Sequence, residues 1–365
     1  MRVLVLADDV FAARERVLMS RLEVGLADEG MRVIHAVPEG LDEARRADLF
    51  SHVVTYSNAT MPFGDHYRAR RLLREIENVA GDGERPVDVV HAFGGRCWGV
   101  AKIIAEHTGA GVALEVWRMG LVARAGQAAW LGLRDLVWLA PDPAIERALR
   151  NIGAATVRGA PWGVHAADKP RRILADDRTP AIMVIGAGRD EDAAHALLRG
   201  LAAARRAGAD FAVFMDAQAA RRSGAWPVAQ ELGLLDRVSL IDELEGRRDL
   251  LLHGDVLVHP ERSGEQRSVV LDAMGAGMAV LAAADPHVSI LQEGRTCRLV
   301  RETSEQAWGS AVLALLGDRD SSRRLGQGAW EHVRSERPAA KYVHGVLECY
   351  AWLTAKNTIP FRAGP

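Results

Sequence analysis

Val258-His259-Pro260-Glu261-Arg262-Ser263-Gly264-Glu265-Gln266-Arg267-Ser268-Val269-Val270-Leu271-Asp272-Ala273-Met274-Gly275-Ala276-Gly277-Met278-Ala279-Val280 is the stretch whose reading decides the fold. It runs as a buried strand, a loop dense in charged side chains, a short apolar helix starting near Ser268, a glycine stop and a second apolar strand. That order belongs to a parallel α/β sheet covered on both faces. The helix start offers backbone N–H groups and a partial positive charge, which suit a diphosphate. Asp272, one turn inside, is spaced to accept hydrogen bonds from the two hydroxyls of a ribose, with a bond to a neighbouring loop as the alternative.

Outward from this stretch the same alternation fills most of the chain. Strands are predicted at 3–6, 32–37, 53–56, 87–92, 112–116 and 136–139, with helices between, such as 14–29, which stops at Gly30. A polar stretch, Ala166-Ala167-Asp168-Lys169-Pro170-Arg171-Arg172, interrupts the pattern, which restarts at 181–185. A second series follows at 211–215, 238–241, 256–258, 278–282 and 298–300. After Thr303 the pattern is helical, broken once at Pro338. The expectation is two doubly wound α/β domains, 1–165 and 166–337, with a final crossover helix 338–356 returning to the first. Such sheets bind ligands at the carboxyl ends of their strands, so the ligand is expected in a central cleft between the domains.

The chain has 365 residues, and its 46 Lys and Arg nearly cancel 48 Asp and Glu to a net charge of -2. No general field favours a nucleic-acid backbone, so no nucleic-acid partner is expected. Cys97, Cys297 and Cys349 are odd in number and far apart, unlike a disulfide framework or a structural zinc site. The first apolar run meets Asp8 and Asp9 too early for a signal peptide. A cytoplasmic location is expected. His66-Tyr67-Arg68-Ala69-Arg70-Arg71-Leu72-Leu73-Arg74 carries no acid, and its stretch 68–74 offers either a solvated helix face or a peripheral contact with anionic lipid on the inner membrane face. Asn58-Ala59-Thr60 has glycosylation spacing that carries no meaning in such a compartment.

The 258–280 stretch resembles the nucleotide-sugar loop of the family-4 retaining glycosyltransferases, whose pattern sets a Pro, a Glu, seven residues and Glu-Ala-Met-Ala-x-Gly. Four more segments resemble that family in the same order: Val87-Asp88-Val89-Val90-His91-Ala92, Ala160-Pro161-Trp162-Gly163-Val164, Leu232-Gly233-Leu234-Leu235-Asp236-Arg237-Val238, and Leu316-Gly317-Asp318 with Arg323-Arg324-Leu325-Gly326. The resemblance implies the GT-B fold, two Rossmann-like domains facing a central cleft. It also implies transfer of a sugar from a nucleotide diphosphate sugar donor to an unidentified acceptor (glycan, lipid or small molecule), with retention of configuration and without a metal or other cofactor.

The chain departs from that family at functional positions. The family's first glutamate falls on Gly264, with Glu265 one residue late and Glu261 three early, and its second is Asp272. Arg189 matches the family's diphosphate arginine, but Asp190-Glu191-Asp192-Ala193-Ala194 follows where the family has a lysine. These acids suit the first turn of a helix, and Asp190-x-Asp192 also has the spacing of a metal carboxylate pair. Arg262 or Arg267 would supply the missing positive charge. Ile185-Gly186-Ala187-Gly188 lacks the third glycine of a dinucleotide fingerprint, Glu191 standing in its place. The first strand leads into Ala7-Asp8-Asp9-Val10 without the family's glycines, and Trp117-Arg118 stands where many members carry a histidine.

The residues expected to carry function are therefore Glu265, Glu261 and His91 as catalytic groups, and Arg189, Arg262, Arg267, Ser268 and Asp272 as donor-binding groups. Asp8, Asp9, Gly94, Gly95 and Trp117 are expected on the acceptor side. The alternative is an inactive GT-B protein serving as a binding or partner module.

Overall fold

The computed structural model describes residues 1–40, 51–57, 64–80, 85–127, 130, 133 and 135–356. Asn58-Ala59-Thr60 lies outside the described residues. Two compact units emerge: Met1–Trp162 with Ala339–Pro365, and Gly163–Pro338.

The first unit contains β1 (Arg2–Ala7), α1 (Asp9–Asp28), β2 (Arg32–Pro38), β3 (Ser51–Tyr56), α2 (Gly64–Ala80), β4 (Val89–Phe93), α3 (Trp98–Thr108), β5 (Gly111–Glu115), α4 (Val122–Ala125), β6 (Leu136–Ala140), α5 (Pro143–Asn151) and β7 (Val157–Gly159). The second contains β8 (Ala181–Val184), α6 (Glu191–Arg206), β9 (Ala212–Asp216), α7 (Ala217–Arg222), α8 (Ala225–Glu231), β10 (Val238–Ile241), α9 (Arg248–Leu251), β11 (Val256–His259), α10 (Ser268–Gly275), β12 (Ala279–Ala283), β13 (Arg298–Val300), α11 (Glu305–Gly317) and α12 (Arg319–Glu336). The last helix, α13 (Ala339–Lys356), belongs to the first unit.

Each unit is built on one fully parallel sheet, ordered β3-β2-β1-β4-β5-β6-β7 in the first and β10-β9-β8-β11-β12-β13 in the second. Parallel strands covered by helices on both faces need apolar side chains on both, and β1 accordingly reads Val-Leu-Val-Leu with all four side chains buried. Each of these stabilises the fold by about 1.5–3 kcal/mol relative to exposure. The chain reverses its direction of travel across the sheet between β1 and β4, and again between β8 and β11. Loops leaving the carboxyl ends at such reversals diverge and open a crevice.

Helix α1 begins at Asp9, five residues before the expected start at Arg14. The reason is a cap: the Asp8 carboxylate accepts the Phe11 backbone N–H at 2.9 Å. Its other oxygen accepts the Arg96 N–H at 3.1 Å, tying the loop after β4 to the end of β1. Gly94 sits there with φ +90°, and a Cβ on it would lie 2.2 Å from the Asp8 carboxyl carbon, so only glycine passes. Strand β7 was not anticipated. It pairs at the edge of the first sheet, and Val-Arg-Gly, with a single apolar side chain and no buried residue, leaves no apolar run to read.

In the second unit α6 and α11 pack closely at Gly200, where a Cβ would meet the Trp308 Cβ at 2.6 Å and the Gly309 nitrogen at 2.8 Å. Gly200→Ala is therefore expected to lower stability by about 1–3 kcal/mol in urea unfolding, although alanine is the better helix former. Burial raises the Asp8 carboxyl above its ordinary 3.8, against the lowering effect of the Phe11 and Arg96 N–H groups. A raised acid binds its proton more tightly when folded, so its contribution is complete below pH 3.8 and declines as pH rises through the folded value. Asp8→Asn keeps a capping oxygen and removes that titration. The stability of wild type minus that of the variant should fall as pH is raised from 4 toward 7, as read by urea unfolding across about that range.

Candidate donor site in the second unit

At the β8–β11 reversal the loop Gly186-Ala187-Gly188-Arg189 leaves β8, and Pro260–Glu265 leaves β11. Glu261 joins them. Its carboxylate, 4% exposed, accepts the Ala187 N–H at 2.9 Å and the Arg189 N–H at 3.0 Å. Gly188 turns the loop with φ +67°, and a Cβ there would sit 2.2 Å from the Ala219 carbonyl oxygen. The glycine pair that hints at a dinucleotide fingerprint is explained in part by this packing. Asp190 caps α6 through the Ala193 N–H at 2.9 Å, and Glu191 and Asp192 fill its first turn.

Arg189 projects from this anchored loop with its side chain 44% exposed and donates from Nη1 to Glu265 Oε1 at 3.0 Å. Glu265 itself is 2% exposed. Gly264, the position of the family's first glutamate, has φ +61°, and its N–H is held by Asp285 at 2.7 Å. A glutamate would be strained in that left-handed backbone. The carboxylate that meets Arg189 comes from the next residue, Glu265.

The start of α10 is held by a loop that the sequence did not single out. Glu245 accepts the Gly186 N–H at 3.0 Å and pairs with Arg267, the residue preceding α10. Three residues on, Arg248 donates from Nε to Asp272 Oδ2 at 2.8 Å and from Nη2 to Ser268 Oγ at 3.0 Å. An acid and a base on the 245–248 segment thus clasp the base that precedes the helix and an acid on it. All four side chains are buried. No local pattern separates Arg248 from Arg247. The only sequence signal is the sequence of signs, minus then plus at 245 and 248 facing plus then minus at 267 and 272.

Among the expected donor-binding residues, Arg189, Ser268 and Asp272 are thus brought into one connected network. Arg267 belongs to the same network, yet its side chain is 1% exposed and points to Glu245 rather than outward. Arg262 turns away, its Nη2 donating to the carbonyls of Val300 and Arg301 beside β13.

In the first unit, Asp8 and Gly94 meet as described. Asp9 pairs with Arg96 at 2.8 Å, and Gly95 lies against Leu121 and Arg124. Trp117 is 1% exposed and packs edge-on to Phe11 at 5.5 Å, with Arg118 against its ring. His91, expected at the cleft, is fully buried in this unit's core instead. Its Nδ1 lies 2.7 Å from the Tyr350 hydroxyl of α13 and its Nε2 3.4 Å from Glu115, while Phe93 stacks on the ring at 4.1 Å. Its place in mid-strand, the third of five residues paired with β5, puts the imidazole against Tyr350 of α13.

Arg68–Asp65, Arg71–Glu39 and Arg71–Glu75 are paired on or beside α2, leaving Arg70 and Arg74 among its exposed basic side chains. No helix of the described residues is long and apolar enough to cross a membrane. No group of three or more metal-binding side chains is found among them.

Residues 179–318, which include every residue of this network, match the family model described as Glycosyl transferases group 1. A D-inositol 3-phosphate glycosyltransferase of Nocardia farcinica is 33% identical over 127 residues, 34% of this chain and 28% of the relative's length. The chain thus matches less than a third of that curated relative. Solved structures extend the likeness over nearly the whole chain. Anabaena HepE in complex with UDP and glucose has a TM-score of 0.74 at 13% identity, covering 96% of this chain and all of that one. A glycosyltransferase of Rickettsia africae has a TM-score of 0.70 at 15% identity, covering 98% and 99%. The chain has the GT-B fold of these neighbours, and the likeness to the Glycosyl transferases group 1 model lies within its second unit.

Proposed function

We propose that the protein transfers a sugar from a nucleoside diphosphate sugar to an acceptor hydroxyl. One observation carries the reading: a buried glutamate fixes a loop that presents the half-exposed guanidinium of Arg189 beside the start of α10, within the 179–318 match. HepE, a structural neighbour, is described in complex with UDP and glucose, which supports a nucleotide-sugar ligand.

In this reading the diphosphate is the leaving group, and its departure from the anomeric carbon builds negative charge that must be met electrostatically. Arg189 supplies a fork of N–H donors suited to phosphate oxygens, and the N-terminus of α10 supplies backbone N–H groups. Asp272 receives the ribose diol. Glu265, bonded to Arg189, orients that guanidinium and lies one residue from where the family places its sugar-binding glutamate. The acceptor hydroxyl attacks the anomeric carbon as its bond to the diphosphate oxygen breaks, and the acceptor proton passes to the leaving diphosphate or to solvent. Retention of configuration follows the family resemblance, and donor binding is proposed to need no divalent metal. The first unit is proposed to receive the acceptor beside Asp9 and the Gly94–Gly95 turn; Trp117, buried against Phe11, and Asp8, bound to two backbone N–H groups, support that edge from behind.

Calorimetric titration with UDP, GDP and ADP tests the donor site. At least one of them should bind, with unchanged affinity in EDTA. Arg189→Ala should weaken that nucleoside diphosphate about tenfold or more while leaving the corresponding nucleoside within about twofold, since a charged hydrogen bond is worth about 1.5–3 kcal/mol. Absence of binding by all three at millimolar concentration overturns the reading. Binding without sugar release from the matching nucleotide sugars, across an acceptor panel, would favour a binding module.

A further inference from the structure

The Arg248 guanidinium touches two of the side chains assigned to the donor, Asp272 and Ser268, and is itself 8% exposed. Its third nitrogen, Nη1, is buried and has no hydrogen-bond partner among the described residues. A buried guanidinium with one edge unsatisfied is a costly way to hold a helix, because an apolar side chain of similar volume would often serve stability as well. What an apolar side chain could not do is fix the direction of a carboxylate. We infer that Arg248 is a positioning residue for the donor nucleoside: it sets the Asp272 carboxylate in the orientation that receives the ribose hydroxyls. This inference rests on the donor-site reading above.

The shortened side chain at 272 fits this role. Aspartate reaches about 1.5 Å less far than the glutamate of the family pattern, one carbon–carbon bond. With the shorter stem, the carboxylate lies within 2.8 Å of Nε, while Nη2 is braced on the Ser268 hydroxyl one turn earlier. The planar guanidinium therefore fixes Asp272 relative to the first residue of α10, so that diol recognition and the helix start move as one piece. Glu245, three residues before Arg248 on the same segment, pairs with Arg267 and ties that segment to the helix start a second time.

The experiment separates positioning from general support of the fold. Whichever of UDP, GDP or ADP binds the wild type is titrated beside its 2′,3′-dideoxy analogue and beside inorganic pyrophosphate. The wild type should favour the diol form about tenfold, the size of a lost bond to a charged group. In Arg248→Gln that preference should collapse to within about twofold, while pyrophosphate affinity stays within about twofold. Arg248→Lys should recover part of the preference. It also serves as the test variant if Arg248→Gln does not fold, a preference below that of the wild type then being expected. Asp272→Asn should lose the same preference, with Arg248→Gln adding nothing further to it. If Arg248→Gln keeps the wild-type preference, or weakens pyrophosphate as much as the nucleotide, Arg248 is structural only and the inference falls while the donor site stands. If the wild type binds the nucleotide without preferring the diol, the assignment of Asp272 falls and the inference with it. If it binds none of the three nucleotides, the donor reading itself has failed.

Discussion

The two hydrogen bonds from Ala187 and Arg189 to the Glu261 carboxylate are the constraint on which the candidate donor site depends. A strand end cannot aim a side chain unless the loop leaving it is fixed, and the loop leaving β8 has glycines at positions 186 and 188. Glycine permits the turn at Gly188 but leaves the chain free to adopt others. Glu261 removes that freedom from the neighbouring strand, across the reversal between β8 and β11, by satisfying two backbone donors that are costly to bury unpaired. Arg189 inherits its direction from this bond. Glu261, expected from the sequence as a catalytic group, turns both oxygens to the backbone of the adjacent loop.

The fold was legible in the sequence because a parallel sheet leaves a strong trace. Runs such as Val3-Leu4-Val5-Leu6 and Val256-Leu257-Val258 must be apolar on both faces, and alternation with helical segments then leaves few topologies. The edge strand β7 left no such trace, and α1 began early because a single aspartate, Asp8, capped it. The site was legible only as a neighbourhood. Residues that act through the backbone, such as Ser268 at the start of α10, follow from strand and helix boundaries. Residues that act through partners do not. Arg262 and Arg267 both lie in the loop that leads to Ser268, yet one turns to the carbonyls beside β13 and the other to Glu245. Nothing in their local sequence distinguishes the two. His91 followed the same logic, since its partners Tyr350 and Glu115 come from distant elements.

The departures from the family pattern become coherent once charge pairing is considered instead of residue identity. Gly264 takes a backbone conformation that a glutamate would resist, and Glu265 carries a carboxylate to Arg189 from the next position. Asp272 is shorter than glutamate, and Arg248 meets it. No lysine follows Arg189, and the acids that stand there cap and charge the start of α6. Of these changes, only the loss of the lysine lacks a compensating contact within the described residues.

That asymmetry shapes how a diphosphate would be held. Arg248 and Arg267 already face buried carboxylates, and Arg189 faces one while keeping nearly half of its side chain exposed. A guanidinium carries five donors in a planar fork, so it can engage a carboxylate and a phosphate together, whereas an ammonium has three donors at a single point. A pre-aimed cation holds a diphosphate at lower cost, because the ordering has been met in the folded chain before the ligand arrives. Glu261 through the backbone, and Glu265 through the guanidinium, provide that aim from two sides. Orientation, more than the number of charges, is what these contacts give the loop after β8.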